Sequence, residues 1–300
     1  MDKLTAMRVF AAVVDEGGFS AAARRLHMSK SAVSTWVRDL EAELGTGLLN
    51  RTTRSVTLTE AGRRYKARID QILADIAEAE AEAGSDTLEP RGVLRVTVGT
   101  SFATRALAPL IGPFMARHPK VEVDLNLSDR FVDLVEEGFD LAIRIGYLPD
   151  SSLTARKLGE TRRVVAAAPS YLERHGRPER PEDLRNHNCL IYSLTNGGGW
   201  GFQRDGKAFT VHVTGNLAVN NGEILRQAAI DGLGVCLAPT FIIHDCLAQG
   251  TLVPLLTEYE LPALGIHAVF PSHRHLSAKV RSFIDFVAAE LRAIDANCSR

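Results

Sequence analysis

The chain is poor in the groups that covalent and metal chemistry require. Its four cysteines, Cys189, Cys236, Cys246 and Cys298, have neither the spacing of a disulfide framework nor that of a zinc site, which points to a reducing cytoplasm. No stretch approaches the roughly 18 uncharged apolar residues of a membrane span, and no signal peptide is visible. There is no GxSxG, and Gly197-Gly198-Gly199 is not followed by the Lys-Ser/Thr of a phosphate loop. His267, His273 and His275, or His244 with Cys246, have no Cys or carboxylate at ligand spacing, so surface histidines explain them. Internal repeats and low-complexity tracts are absent. No catalytic residue, metal or cofactor is expected, and an enzyme is the disfavoured reading.

What is present begins with an uneven distribution of charge. Residues 1–68 hold 12 Lys and Arg against 7 Asp and Glu, a balance of +5, while the remainder holds 23 against 29, a balance of −6. Binding to a polyanion depends on local charge, so the N-terminal end alone is suited to it.

Within that end, Val33, Val37, Leu40 and Leu44 recur at steps of four, three and four and form one stripe of a helix over Ser29 to Gly45. Ser31, Thr35 and Arg38 then face outward, Ser34 lies at the edge of that face, and Ser29 is placed to cap the helix, with Lys30 beside it. Small hydroxyls and an arginine let such a helix enter a DNA major groove and bond phosphates or base edges. An ordinary amphipathic surface helix has the same pattern, and the neighbours decide between them. Upstream, Leu4, Met7, Ala11 and Val14 stripe a first helix ended by Gly17-Gly18, and an Ala-rich segment from Ser20, its expected N-cap, runs to His27. Helix, short helix, turn and outward-facing helix is the helix-turn-helix plan. Downstream, Leu48 to Thr59 is β-prone and carries Arg51, Thr52 and Arg54, a small wing for the backbone or minor groove.

The stretch FAAVVDEGGFSAAARRLHMSKSAVSTWVRDLEAELGTGLLNRTTRSVTLTEAG closely resembles the winged-helix head of LysR-type transcriptional regulators. Two positions depart from that family: Thr35 stands where it usually has Arg, and Leu49 where it usually has Phe. The first removes an expected DNA contact; the second is a packing change.

Beyond the head, Tyr65, Ile69, Ile72, Ile76, Ala79 and Ala83 fall at steps of four and three, a heptad seam on a helix of about 38 Å. The expected occupant of such a narrow seam is its twin in a second chain, giving a homodimer; the alternative is packing on the chain's own body. Seven acidic and no basic residues from Ile69 to Glu89 hold this helix away from DNA.

Past a hinge at 87–92, alternating Leu94, Val96 and Val98, a helical 103–118, alternating Val121 to Leu127, a helical Phe131 to Gly138, and alternating Leu141 to Ile145 argue a parallel sheet covered by helices. A second such set begins at Val164, with its helix at Gly222 to Asp231 and its strand at Gly234 to Pro239. A last helix after Ser277 buries Val280, Ile284, Val287, Leu291 and Ile294. The phrases LSDRFVDLVEEGFDLAIRIGYLPDSSLTARKLGETRRVVAAAPSYL, GLGVCLAP and FPSHRHLSAKVRSFIDFV resemble the same family's effector domain. That resemblance implies the fold of periplasmic binding proteins, two α/β subdomains joined by two crossovers, expected near Glu160 to Val164 and Leu264 to His267.

The expected organisation is therefore an α/β multidomain chain: a winged helix-turn-helix at 1–59, a linker helix at 60–86, the hinge, and an effector domain at 93–300. Subdomain I takes 93–162 and 268–300, subdomain II 163–267. Ligands in open α/β sheets bind beyond the carboxyl ends of strands. That rule selects Thr100, Ser101, Phe102, Thr104 and Ser128 from subdomain I, and Asn220, Asn221, Pro239 and Thr240 from subdomain II, with Trp200 as an aromatic wall; each can equally be a helix cap or turn former. Hydroxyls and amides without a fixed cation suit a small organic anion or a polar aromatic. Cys236, in the apolar strand GVCLAP, carries either a redox role or, as buried thiols usually do, none. The resemblance implies a DNA-binding regulator, dimeric or tetrameric, acting on RNA polymerase in response to a small effector.

Overall fold

The computed structural model describes residues 2–51, 56–82, 89–146, 153–194, 198–271 and 276–298. They divide into two compact units, Met1–Glu89 and Pro90–Arg300.

The first unit is a head of three helices and a two-stranded wing: α1 (Lys3–Asp15), α2 (Phe19–Arg25), α3 (Lys30–Leu44), β1 (Leu49–Arg51), β2 (Val56–Leu58) and a long α4 (Glu60–Glu82). On α1 the inward stripe is centred on Ala6, Val9, Phe10 and Val13; of the expected Leu4, Met7, Ala11 and Val14 only Ala11 is buried, at 7% exposed. Both sets have helical spacing, and Phe10, the bulkiest side chain, takes the centre; Leu4, Met7 and Val14 are half-buried around it. Helix α2 starts two residues earlier than expected, with Gly18 as N-cap and Ser20 inside the first turn. On α3 the stripe is as expected: Val33, Val37 and Leu40 are fully buried. Ser29 Oγ accepts from Ala32 N at 3.1 Å, and Gly45 closes the helix at φ +66°, the left-handed conformation that favours glycine.

The wing is antiparallel, Leu49 opposite Leu58. Glu41 Oε1 accepts from Leu48 N at 2.8 Å and Leu49 N at 3.1 Å, tying β1 to the side of α3. Helix α4 leaves the wing so closely that a Cβ on Gly62 would lie 2.0 Å from Leu48 O; only glycine fits there. Lys66 Nζ then bridges Asp15 at 2.8 Å and Asp70 at 2.6 Å.

The second unit runs β3 (Gly92–Val98), α5 (Thr100–Phe102), a π-helical turn (Ala103–Leu107), α6 (Ala108–Arg117), β4 (Val121–Leu127), β5 (Leu141–Ile145), β6 (Leu153–Thr161), β7 (Arg163–Ala167), α7 (Pro169–His175), a 3-10 turn (Pro181–Asn186), β8 (Cys189–Tyr192), β9 (Gly199–Arg204), β10 (Lys207–His212), β11 (Ala218–Val219), α8 (Gly222–Ile230), β12 (Val235–Pro239), α9 (Thr240–Gln249), β13 (Val253–Leu255), β14 (Leu264–Pro271) and α10 (Ala278–Cys298). They form two lobes, each around a five-stranded sheet, in the orders β4-β3-β5-β14-β6 and β11-β8-β12-β7-β13. Each sheet is mixed rather than wholly parallel. In the first lobe β3 runs parallel to β4 and β5, whereas β14 is antiparallel to β5 and β6; in the second, β8 is parallel to β11 and β12, and β7 antiparallel to β12 and β13. The crossover strands cause this: they pass between lobes without an intervening helix and so pair antiparallel to what they meet.

The outgoing crossover is at Arg162, between β6 and β7, inside the expected range. The return lies earlier than expected. Leu264 already pairs with Thr161 in the first sheet, so all of β14 belongs to the first lobe and the second lobe ends before it. A second correction concerns 131–138, a series of turns and not a helix. Asp133 Oδ1 accepts from Val135 N and Glu136 N, both at 2.9 Å, and Gly138 at φ +74° turns the chain away; a side chain that captures nearby amides competes with the helix ladder. Helix α10 meets the expectation, with Val280, Ile284, Val287 and Leu291 packed against Leu94, Val96, Phe114 and Ile143; the side chain of Ile294 is outside the described residues.

Candidate functional site

Two surfaces concern function, one on each unit. On the head, Ser29, Lys30, Ser31, Thr35 and Arg38 are exposed along one side of α3, and Ser34 is half-buried at its edge. Arg38 has 68% of its side chain exposed, and its nearest carboxylate, Asp39, is at 3.4 Å, a long and loose pair. A phosphate can replace Asp39 at little energetic cost, because an exposed ion pair contributes at most about 1 kcal/mol. Arg51 lies on β1, but its side chain, with Thr52 and Arg54, falls outside the described residues.

On α4 the expected seam divides. Ile69 is fully buried and Tyr65 packs against Phe10 with ring centroids 5.8 Å apart, both within the head's own core. The first three turns of α4 thus help to complete the core of α1 and α3, which leaves Ile69 no exposed surface for a twin. Ile72 is 42% exposed and Ile76 half-buried; the side chain of Ala79, and Ala83, fall outside the described residues.

In the body the selected loops meet where the two lobes face each other. A Cβ on Gly222, the first residue of α8, would lie 2.7 Å from Ser101 Oγ and from Ile242 Cδ1. Phe102 meets Phe241 edge-on at 5.5 Å, and Thr240 Oγ1 lies 3.4 Å from Thr161 Oγ1. Asn221 caps α8, its Oδ1 accepting from Glu223 N and Ile224 N, and Pro239 precedes α9. Thr104 is turned back on its own helix, bonding Thr100 O at 3.0 Å, and Asn220 is exposed. Ser101 is 6% exposed, and its Oγ has no hydrogen-bond partner among the described residues. Trp200 is a correction: it lies on β9, 5% exposed, within the second lobe's core beside Phe202 and Val211. Strand pairing with β10 directs it inward, so it is not the expected aromatic wall of the cleft.

Cys236 is wholly buried in β12, and burial pushes its thiol up to about 12, which suppresses the thiolate that redox chemistry requires and favours the inert of its two readings.

Two charged groups escaped the sequence reading. Arg105, on the π-helical turn, donates through Nε and Nη2 to Glu223 of the other lobe, Nη2 to Oε2 at 2.7 Å, and through Nη1 to Asp245 at 3.1 Å. Arg226 Nη2 reaches the same Asp245 oxygen at 2.7 Å. Arg144, on β5, donates to the carbonyls of Ser128 at 3.3 Å and Arg130 at 3.0 Å and to Thr97 Oγ1 at 3.4 Å. The only hint was an arginine breaking the apolar strand LAIRI. An isolated head-and-wing with a two-lobed body narrows the possibilities, and likeness to known proteins decides among them.

Residues 4–63 match the family described as bacterial regulatory helix-turn-helix protein, lysR family, and residues 88–292 match the LysR substrate binding domain. The chain belongs to the LysR family. It is a LysR-type DNA-binding transcriptional regulator whose body is an effector-binding domain. An HTH-type transcriptional regulator of Haemophilus influenzae is 39% identical over 281 residues, covering 93% of this chain and 98% of that one. The HTH-type transcriptional regulator CrgA of Neisseria meningitidis serogroup C is 37% identical over 286 residues, covering 95% and 96%. The solved structure of CrgA from Neisseria meningitidis, a LysR-type transcriptional regulator, superposes with a TM-score of 0.62 at 36% identity, covering 96% of this chain and 98% of that one. As a LysR-type regulator the chain places its helix-turn-helix in α2 and α3, and the lobe junction in the domain named for substrate binding.

Proposed function

We propose that this LysR-type regulator works as a homodimer, or a dimer of dimers, in the cytoplasm. In this reading α3 reads the operator through Ser29, Lys30, Ser31, Ser34, Thr35 and Arg38, while Arg51, Thr52 and Arg54 of the wing grip the backbone. A small organic effector between the lobes of the body biases how two heads are spaced, and so the access of RNA polymerase. The effector can do this only by binding two arrangements with different affinity. No cofactor and no catalytic step is needed.

The observation that carries the DNA reading is the division of α3: Val33, Val37 and Leu40 are fully buried while Ser31, Thr35 and Arg38 face solvent. Arg38→Ala should weaken operator binding about tenfold and lower the salt slope by about one ion. Its melting temperature should not change, since the side chain is largely exposed. A gel shift across a salt series measures both, and a near-native footprint from the variant overturns the role.

For pairing, the supporting feature is Ile72, a large apolar side chain 42% exposed on α4 and outside the head's core. Ile72→Asp should halve the mass seen by light scattering, since an uncompensated charge in an apolar seam costs several kcal/mol. An unchanged mass moves the pairing surface elsewhere.

A further inference from the structure

The charged groups facing the cleft do not all belong to one lobe. After β4, Asp129 accepts a hydrogen bond from the hydroxyl of Tyr192, which ends β8 in the other lobe. Arg144, near the end of β5, is desolvated by burial and feels the charge of Asp129; among the described residues its hydrogen bonds go to Ser128 O, Arg130 O, Ile143 O and Thr97 Oγ1, all neutral oxygens. A partly desolvated guanidinium held by neutral acceptors is under-compensated, and its planar fork suits a carboxylate. The position matters as well, since this is the carboxyl edge of β3, β4 and β5, where open α/β sheets take their ligands.

We propose that Arg144, Tyr192 and Asp129 form the anion subsite of the effector cleft, with the Asp129 carboxylate holding the place that the carboxylate of a small acidic effector takes on binding. This rests on reading the cleft as the effector site. The incoming carboxylate pairs with Arg144 and accepts from the Tyr192 hydroxyl. Asp129 is thereby released to solvent, and the hydrogen bond that joins the lobes without effector is exchanged for one through the effector. The effector class is then a small monocarboxylate, and its amide is excluded because an amide carries no charge for Arg144. The sequence reading, which saw no fixed cation in the cleft, is replaced by one that has a cation.

The test uses the full-length protein and two probes, benzoate and acetate, against benzamide and acetamide at constant ionic strength, by titration calorimetry. The wild type should bind the acids and not the amides. Arg144→Gln should weaken the acids by about tenfold to a hundredfold, as expected for a charge-assisted pair, and Asp129→Asn, which removes the internal competitor, should tighten them by about tenfold. Tyr192→Phe, which removes one hydroxyl, should weaken them severalfold without a change in melting temperature, and this arm holds even where Arg144→Gln impairs folding. Equal binding of acids and amides, absent binding of the acids in both wild type and Asp129→Asn, or acid affinity unchanged in both Arg144→Gln and Tyr192→Phe overturns the subsite. The cleft reading has its own readout: Gly222→Val, which collides with Ser101 and Ile242, should abolish the promoter response in cells. If that response survives, the cleft itself is not the effector site; if it is lost while the titrations fail, only the anion subsite is wrong.

Discussion

Asp140→Ala should lower the stability of the effector domain by about 3–5 kcal/mol, the cost of leaving a buried charge without its partner. The Lys279 ammonium, on the first turn of α10, lies 3.0 Å from Asp140 Oδ2, with side-chain exposures of 10% and 5%. The same oxygen accepts from Arg95 N at 3.0 Å, so one carboxylate joins α10 to β3. Removing it strands both an ammonium and an amide, leaving Lys279, among the described residues, its bond to Val93 O. By contrast, Lys3 and Glu43 are at 2.9 Å but 53% and 44% exposed, and breaking that pair should change stability little, because solvent screens it. Chemical denaturation at neutral pH measures the difference. The double replacement Asp140→Leu with Lys279→Met should recover most of the loss, because a buried pair exchanged for apolar groups of similar size is often nearly neutral. A single variant no worse than the Lys3 pair would mean that water reaches the site.

The sequence showed most clearly the parts set by local periodicity. The α3 stripe, the closing helix and the alternating strands β3, β4 and β5 follow from spacing alone, because burial on one face of a single element leaves a regular trace. Choices between two equally spaced sets were not legible: α1 turned on the volume of Phe10, and 131–138 on whether Asp133 would cap turns or sit in a helix. Pairings distant in the chain left still less trace. Arg105 meets Glu223 across 118 positions, and nothing local marks either residue as a partner. Trp200 and the seam residue Ile69 misled for the same reason, since an apolar side chain gives no sign of whether its own fold or a partner will cover it. The effector loops, chosen from the ends of strands, include Ser101, Phe102, Asn221 and Thr240 at the lobe junction, yet the cleft's charged residues went unseen.

Arg105→Ala should loosen the two lobes. Among the described residues, the ion pairs that join them are those of Arg105 with Glu223 at 2.7 Å and with Asp245 at 3.1 Å. The guanidinium is held in its charged form first by the Glu223 hydrogen bond, against a smaller opposing effect of burial. With side chains 23% to 33% exposed, the pairs are partly screened, and about 2 kcal/mol is a fair discounted value. That is about thirtyfold in the balance between closed and open lobes, which small-angle scattering reads as a larger radius of gyration in the variant. Acid gives an independent measure. At Asp245 burial alone would raise the carboxyl, but the Arg105 hydrogen bond and the Arg226 charge outweigh it and bring the group from its ordinary 3.8 down to about 2. A depressed folded value contributes stability that is complete above 3.8 and is lost as pH falls from there through about 2. Wild type should therefore show an acid limb in that window. Arg105→Ala, keeping only Arg226 beside Asp245, should show a shallower one, whereas superimposable limbs and equal radii would mean that the lobes are held together by their apolar contacts, Phe102 on Phe241 foremost.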